Sequence, residues 1–224
     1  HRLPLADAAA GCILGTAVGD ALGLAAEGLS RNRQQAIFPS LDSYHFFLGK
    51  GFCSDDTEHA CMTANALISA SRHPESLVES FRKSLAWRLR FWLLGLPAGV
   101  GLATGRGIIK LWLGFPSANS GVFSAGNGPA MRAPIIGVLH GNRPDHLKEL
   151  IKASTRLTHT DPKAEHAAFA VALAAHYAAS GNSFNSETFV GQIRQQYQRS
   201  AEETVSAISA AFDSVRQGES TVGF

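Results

Sequence analysis

Gly51-Phe52-Cys53-Ser54-Asp55-Asp56-Thr57-Glu58-His59 opens the helix around which this chain is organised. Ser54 reads as an N-cap, since a side-chain oxygen there can accept from the free amides of a first helical turn. Asp55 and Asp56 follow where the helix dipole favours negative charge. Behind them Ala60, Cys61, Ala64, Leu67 and Ile68 recur at spacings of three and four, which predicts one buried face. Taken alone, the stretch is an acidic first turn that starts a helix. A hydroxyl and two carboxylates in three consecutive residues also form a set of hard oxygen donors, suited to Mg²⁺, Mn²⁺ or Ca²⁺ rather than zinc.

At 224 residues with 45% hydrophobic content, the chain is long enough for one large domain with a substantial core. Twenty basic residues stand against eighteen acidic, and no Lys/Arg-rich arm appears. Nucleic acid and membrane surfaces are therefore disfavoured as partners. Cys12, Cys53 and Cys61 form an odd set without a CxxC pair, which argues for a reducing compartment and against a disulfide framework or zinc site. The start, His1-Arg2-Leu3-Pro4-Leu5, lacks an initiator Met and a signal-peptide core, as a trimmed end would. The apolar runs are interrupted and read as too short to span a bilayer. A cytoplasmic monomer is the expectation.

Gly11, Gly15, Gly19 and Gly23 fall every fourth residue in the first segment, so they share a helical face. Glycine costs a helix interior about 1 kcal/mol relative to alanine, and four on one face predict close backbone packing. Asp20 in that helix reads as a satisfied structural residue, whereas Glu27, in its glycine-flanked exit, is freer to reach a site. Residues 29–49 read as irregular. Pro74-Glu75 opens a helix with a stripe of Leu77, Phe81, Leu85, Leu89 and Trp92. A glycine-rich turn precedes Ile108, Leu111 and Trp112. In Gly126-Asn127-Gly128-Pro129-Ala130-Met131-Arg132, Asn127 can cap and Pro129 suits an early helical position, with Met131, Ile135, Val138 and Leu139 inward. Such a turn is an ordinary capped loop or an anion site. A short helix after Pro144-Asp145 would bury Leu147, Leu150, Ile151 and Leu157. Asp161-Pro162 starts an alanine-rich helix to about Ala179, with His159 just before it. Two more helices, about Ser186 to Gln198 and Glu202 to Arg216, close the chain. No period-two strand appears. The expected architecture is all-α, a compact orthogonal bundle of eight or nine helices.

With these residues in hand, the chain resembles the ADP-ribosylglycohydrolase family, of the dinitrogenase reductase-activating and ADP-ribosyl-arginine hydrolase type. Four motifs carry the resemblance: Gly19-Asp20-Ala21-Leu22-Gly23 with Glu27; Ser54-Asp55-Asp56-Thr57; Gly126-Asn127-Gly128 with Met131-Arg132; and Thr158-His159 with Asp161-Pro162. The resemblance implies that Ser54, Asp55 and Asp56 ligate a pair of Mg²⁺ or Mn²⁺ ions and that Glu27 sits over the site. It further implies that Gly126, Asn127 and Gly128 cradle the diphosphate and ribose, with Met131 and His159 lining the pocket. Family members complete the metal site with an Asp-x-Asp-Thr turn near the C-terminus. This chain has none after Asp56, so residues 1–224 are expected to form a single domain lacking its C-terminal part. Some relatives also carry an Asp where residues 99–107 here contain no acid, so that role does not transfer.

The implied activity is metal-dependent hydrolysis of the glycosidic bond between ADP-ribose and an acceptor, with Asp56 or Glu27 as catalytic base. The partner would be an ADP-ribosylated protein or a small ADP-ribosyl conjugate. Two alternatives remain: a non-catalytic structural or ADP-ribose-binding member of the same fold, and a calcium module, which the absence of a spaced EF-hand loop disfavours.

Overall fold

The computed structural model describes residues 4–46, 48–97, 99–181 and 183–219; the expectations drawn from residues 1–3 and from Phe224 lie outside them. In chain order the helices are α1 (Leu5–Gly23), α2 (Arg31–Ile37), α3 (Asp55–Ala70), α4 (Leu77–Leu94), α5 (Leu102–Trp112) and α6 (Gly128–Met131). They continue with α7 (Pro134–His140), α8 (Pro144–Thr155), α9 (Pro162–Ser180), α10 (Ser186–Tyr197) and α11 (Glu202–Arg216), joined in places by short 3₁₀ turns. The chain is all-α: among the described residues, bridge pairing is confined to Phe46 with Lys50 and Val122 with His159.

The apolar stripes decide the packing. Phe81, Leu85 and Leu89 from α4 meet Leu147, Leu150 and Ile151 from α8, Ile135 and Ile136 from α7, and Phe169 and Leu173 from α9 in one core. At full burial each such side chain contributes roughly 1.5–3 kcal/mol. The closest helix contact is α7 on α9, where a Cβ on Gly137 would lie 1.8 Å from the Ala172 carbonyl oxygen, so only glycine fits. Asp161 caps α9 as expected, its Oδ1 accepting from the Lys163 amide at 2.9 Å, and Gly181 ends it with φ 65.

Several local expectations are corrected. The α1 glycines do not pack closely: added Cβ atoms at Gly11, Gly15, Gly19 and Gly23 would meet nothing within 4 Å. Residues 5–26 are also long and apolar enough to cross a bilayer, with a mean hydropathy of 1.5, contrary to the expectation of runs too short to do so. Residues 31–37 are helical rather than irregular; α2 buries no residue, so no periodic stripe marks it. The inward face of α3 is His59, Ala60, Thr63, Ala66, Leu67 and Ala70, while Ile68 is exposed. Two buried polar residues hid that face from a hydrophobic pattern. The helix expected across Met131 to Leu139 is two, because Pro134 has no amide to continue the ladder from α6 and instead starts α7.

Candidate active site

The N-terminus of α3 is capped from another helix. Asp20, near the C-terminal end of α1, accepts from the Ser54 hydroxyl (Oδ1, 2.7 Å), the Ser54 amide (Oδ2, 2.7 Å), and the Thr57 amide and hydroxyl (Oδ2, 3.2 and 2.5 Å). Ser54 holds the cap position but makes no capping bond itself, which corrects its expected role. The reason is competition: a carboxylate reaches four donors at once and carries charge toward the positive helix end, which one hydroxyl cannot match. Asp20 is thus a satisfied structural residue, as read from sequence, and it locks α1 to the acidic turn.

That turn forms one wall of a cavity of about 640 Å³. Asp55 is buried, Asp56 half-buried, and the exposed Glu27 reaches the same space from the 3₁₀ exit of α1. Burial first, then the charges of Asp56 and Glu27, raise the Asp55 carboxyl to about 6. Burial, then Asp20 and Glu27, push Asp56 up as well. Gly99 backs Asp55 so closely that a Cβ there would lie 2.7 Å from Asp55 Oδ1, and its φ of +82 suits only glycine.

Gly126, Asn127, Gly128, Met131 and His159 line the same cavity. His159 sits in a turn pinned by a short parallel bridge: the Val122 amide donates to the Thr158 carbonyl at 3.1 Å, and the Thr160 amide donates to the Val122 carbonyl at 2.9 Å. Gly107 and Gly121 let this turn approach, since Cβ atoms on them would sit 2.8 Å from the Thr158 Cα and the Arg156 carbonyl oxygen. The His159 ring is 2% exposed and lies between the two rim glycines; a Cβ on Gly126 would be 3.0 Å from Nε2, one on Gly128 3.0 Å from Cε1. Those glycines are therefore small for the histidine as well as for any ligand. Burial, then the Arg132 charge, lowers His159 to about 4, so it is neutral near pH 7.

Asn127 departs from its expected role, because its side chain makes no capping bond; its carbonyl instead accepts the Ala130 and Met131 amides. With α6 only four residues long, the dipole available at that turn is small. Sequence reasoning gave Gly99, Thr104, Arg132 and Thr158 no role, yet all four touch or line this site. Arg132 belongs to one of the motifs that carry the resemblance, but nothing in the sequence marks it as buried.

Chemically, Glu27, Asp55 and Asp56 are hard oxygen donors whose mutual repulsion a divalent cation would relieve, so the donor set fits Mg²⁺ or Mn²⁺ in kind. Among the described residues, no three His, Cys, Asp or Glu side chains converge closely enough to complete such a site by themselves. Ser54 Oγ, expected as a ligand, is already bonded to Asp20 through its proton and retains its lone pairs.

A family model described as ADP-ribosylglycohydrolase matches residues 2–223. An uncharacterized protein of Archaeoglobus fulgidus is 33% identical over 169 residues, which cover 73% of this chain and 53% of that protein. The ADP-ribosyl-[dinitrogen reductase] glycohydrolase of Rhodospirillum rubrum is 28% identical over 181 residues, 78% of this chain and 59% of its own length. A solved structure described as an ADP-ribosylglycohydrolase-related protein complex aligns with a TM-score of 0.62 at 28% identity, covering 83% of this chain and 60% of that one. The chain thus spans between about half and three fifths of the length of these relatives.

Proposed function

The chain belongs to the ADP-ribosylglycohydrolase family, and from that premise we propose that it acts as a divalent-metal-dependent hydrolase of the glycosidic bond joining ADP-ribose to an acceptor. One observation carries the reading. Segments far apart in sequence, Glu27, Ser54 to Asp56, Gly126 to Gly128, Met131 and His159, line one cavity, which joins carboxylates with a glycine rim and a neutral histidine. Asp55 and Asp56 would hold Mg²⁺ or Mn²⁺. When bound, the metal supplies charge stabilisation and orients ribose hydroxyls and water. The glycine rim leaves room for the diphosphate and ribose, and Met131 offers an apolar surface beside them.

In the chemical step, Asp56 or Glu27 accepts a proton from water as the water attacks the anomeric carbon, the bond to the acceptor breaks, and the acceptor leaves with the bonding pair and takes up a proton. A base of raised pKa, as Asp56 is, suits this task near neutrality. The acceptor would be a protein side chain such as arginine or a small conjugate. The test is release of ADP-ribose from ADP-ribosylated arginine with and without added Mg²⁺ or Mn²⁺. Metal-dependent release supports the hydrolase; tight ADP-ribose binding without turnover would assign the chain to a non-catalytic, ADP-ribose-binding role on the same fold.

A further inference from the structure

Arg132 is fully buried between α6 and α7, and each of its five N–H groups has an acceptor. Nε donates to Ser154 Oγ at 2.9 Å, and Nη1 to the Gly128 carbonyl at 3.2 Å and to His59 Nδ1 at 3.4 Å. Nη2 donates to the Ser154 carbonyl at 2.9 Å and to Thr158 Oγ1 at 2.8 Å. Among the described residues it forms no ion pair within 4.0 Å, so a buried cation is held by neutral acceptors alone.

The last of those bonds has a consequence one residue further on. A guanidinium has donors and no acceptor, so Thr158 Oγ1 must accept from Arg132. Its second lone pair could take a proton from His159 Nδ1, 2.9 Å away, but the buried Thr158 hydroxyl proton would then meet no acceptor among the described residues, so the geometry favours Thr158 donating to Nδ1. A nitrogen that accepts carries no proton, and a neutral imidazole bears one, so the proton is on Nε2. Nε2 is the ring atom that faces Gly126 on the cavity side.

We propose that Arg132 and Thr158 are positioning residues that hold His159 as the Nε2–H tautomer, so that this wall of the cavity presents a hydrogen-bond donor to an acceptor oxygen of ADP-ribose and not a general base. The identity of the acceptor rests on the functional reading above; the relay itself does not. The same arrangement leaves proton abstraction to the carboxylate wall.

The test uses the whole chain with ¹⁵N-labelled histidine and long-range ¹H–¹⁵N correlation at neutral pH, with His159 identified by loss of its signals in His159→Asn. The expected parent spectrum has a protonated Nε2 and an unprotonated Nδ1 at His159. Thr158→Val keeps the shape and removes the hydroxyl; a measurable fraction of Nδ1–H should appear and the Kd for ADP-ribose should rise about tenfold. Thr158→Ser should restore both, which separates the relay from a general loss of folding. A parent His159 protonated on Nδ1, or a folded Thr158→Val protein with the parent's spectrum and affinity, would overturn the relay. A parent that binds no ADP-ribose would overturn the functional reading instead, with the tautomer still deciding the relay.

Discussion

Asp20 Oδ1 accepts the Ser54 hydroxyl at 2.7 Å, so the helix that carries the acidic pair is capped by a carboxylate from the first helix of the chain. Position and stability of the site are therefore coupled across 34 residues of sequence. Asp20→Ala strands four donors at one helix end, all of them on buried or half-buried groups. A loss of roughly 2–3 kcal/mol is expected, since a charged acceptor is removed and its donors are left bare. Asp20→Asn should fall between, because it keeps one acceptor oxygen. Chemical denaturation of the three proteins measures the order; an Asp20→Ala protein as stable as the parent would show that water replaces the cap.

Gly99 supports Asp55 by being absent beyond Cα. Gly99→Ala faces two penalties, a φ of +82 and a Cβ 2.7 Å from Asp55 Oδ1. Gly114 shares the first penalty, with φ +86, but a Cβ there meets nothing within 4 Å. Both substitutions should cost about 1 kcal/mol of stability from the backbone alone. Only Gly99→Ala should also move the Asp55 carboxylate and depress metal-dependent ADP-ribose release, by about tenfold or more. Equal activity in the two variants would remove Gly99 from the site.

Much of this fold is legible in the sequence. The stripe on α4, the Asp161-Pro162 start of α9 and the boundaries of α11 follow from spacing and capping chemistry, which are local. What sequence could not supply is long-range. The acceptor for the α3 amides lies on α1, whereas local capping rules point to the nearest suitable oxygen, Ser54. The glycines of α1 resemble a packing face and have no neighbour in the described residues, since periodicity reports a shared face and not what covers it. Arg132 shows the same limit from the other side: a charged residue is expected outside, and only five converging acceptors explain it within the core.

Burial first, and like charge second, raises both carboxyls of the acidic turn: Asp56 and Glu27 act on Asp55, and Asp20 and Glu27 act on Asp56. Asp56→Asn removes one of the like charges. Without divalent ions this variant should melt no lower than the parent. Adding Mg²⁺ or Mn²⁺ should raise the melting temperature of the parent, because a ligand that binds only the folded state stabilises it, and the variant should lose most of that gain together with turnover. A variant that keeps both the metal-induced shift and activity would exclude Asp56 as ligand and as base.

Acid should unfold the protein partly through its histidines. His140 is lowered to about 4 by burial first, then by His146 and Arg143. In the unfolded chain it protonates near its ordinary 6.5, so between pH 6.5 and about 4 the unfolded state binds more protons and stability falls as pH falls. Asp55 acts in the opposite sense, since its folded carboxyl takes up a proton near 6 while the unfolded one waits until about 3.8. The clean measurement is therefore a difference. His140→Asn, outside the cavity lining, should flatten the stability–pH slope across that window by at most ~1.4 kcal/mol per pH unit. Parallel slopes for parent and variant would mean that His140 titrates alike in both states.

Gly128 decides whether the rim serves the ligand, the histidine or both. A Cβ at this position would lie 3.0 Å from His159 Cε1 and 3.0 Å from Thr104 Oγ1, so even alanine must displace something. The Gly128 carbonyl also accepts from Arg132, which fixes the backbone against retreat. Gly128→Val should weaken ADP-ribose binding more than tenfold, about 1.4 kcal/mol. If the cause is the histidine, His159→Ala in the same chain vacates the space, and the double variant should bind no worse than His159→Ala alone. If the cause is the ligand, the two losses should add, since each removes a separate contact. Thermal melting of all three proteins sets aside simple unfolding. A Gly128→Val protein that melts and binds as the parent does would take this turn out of the site altogether.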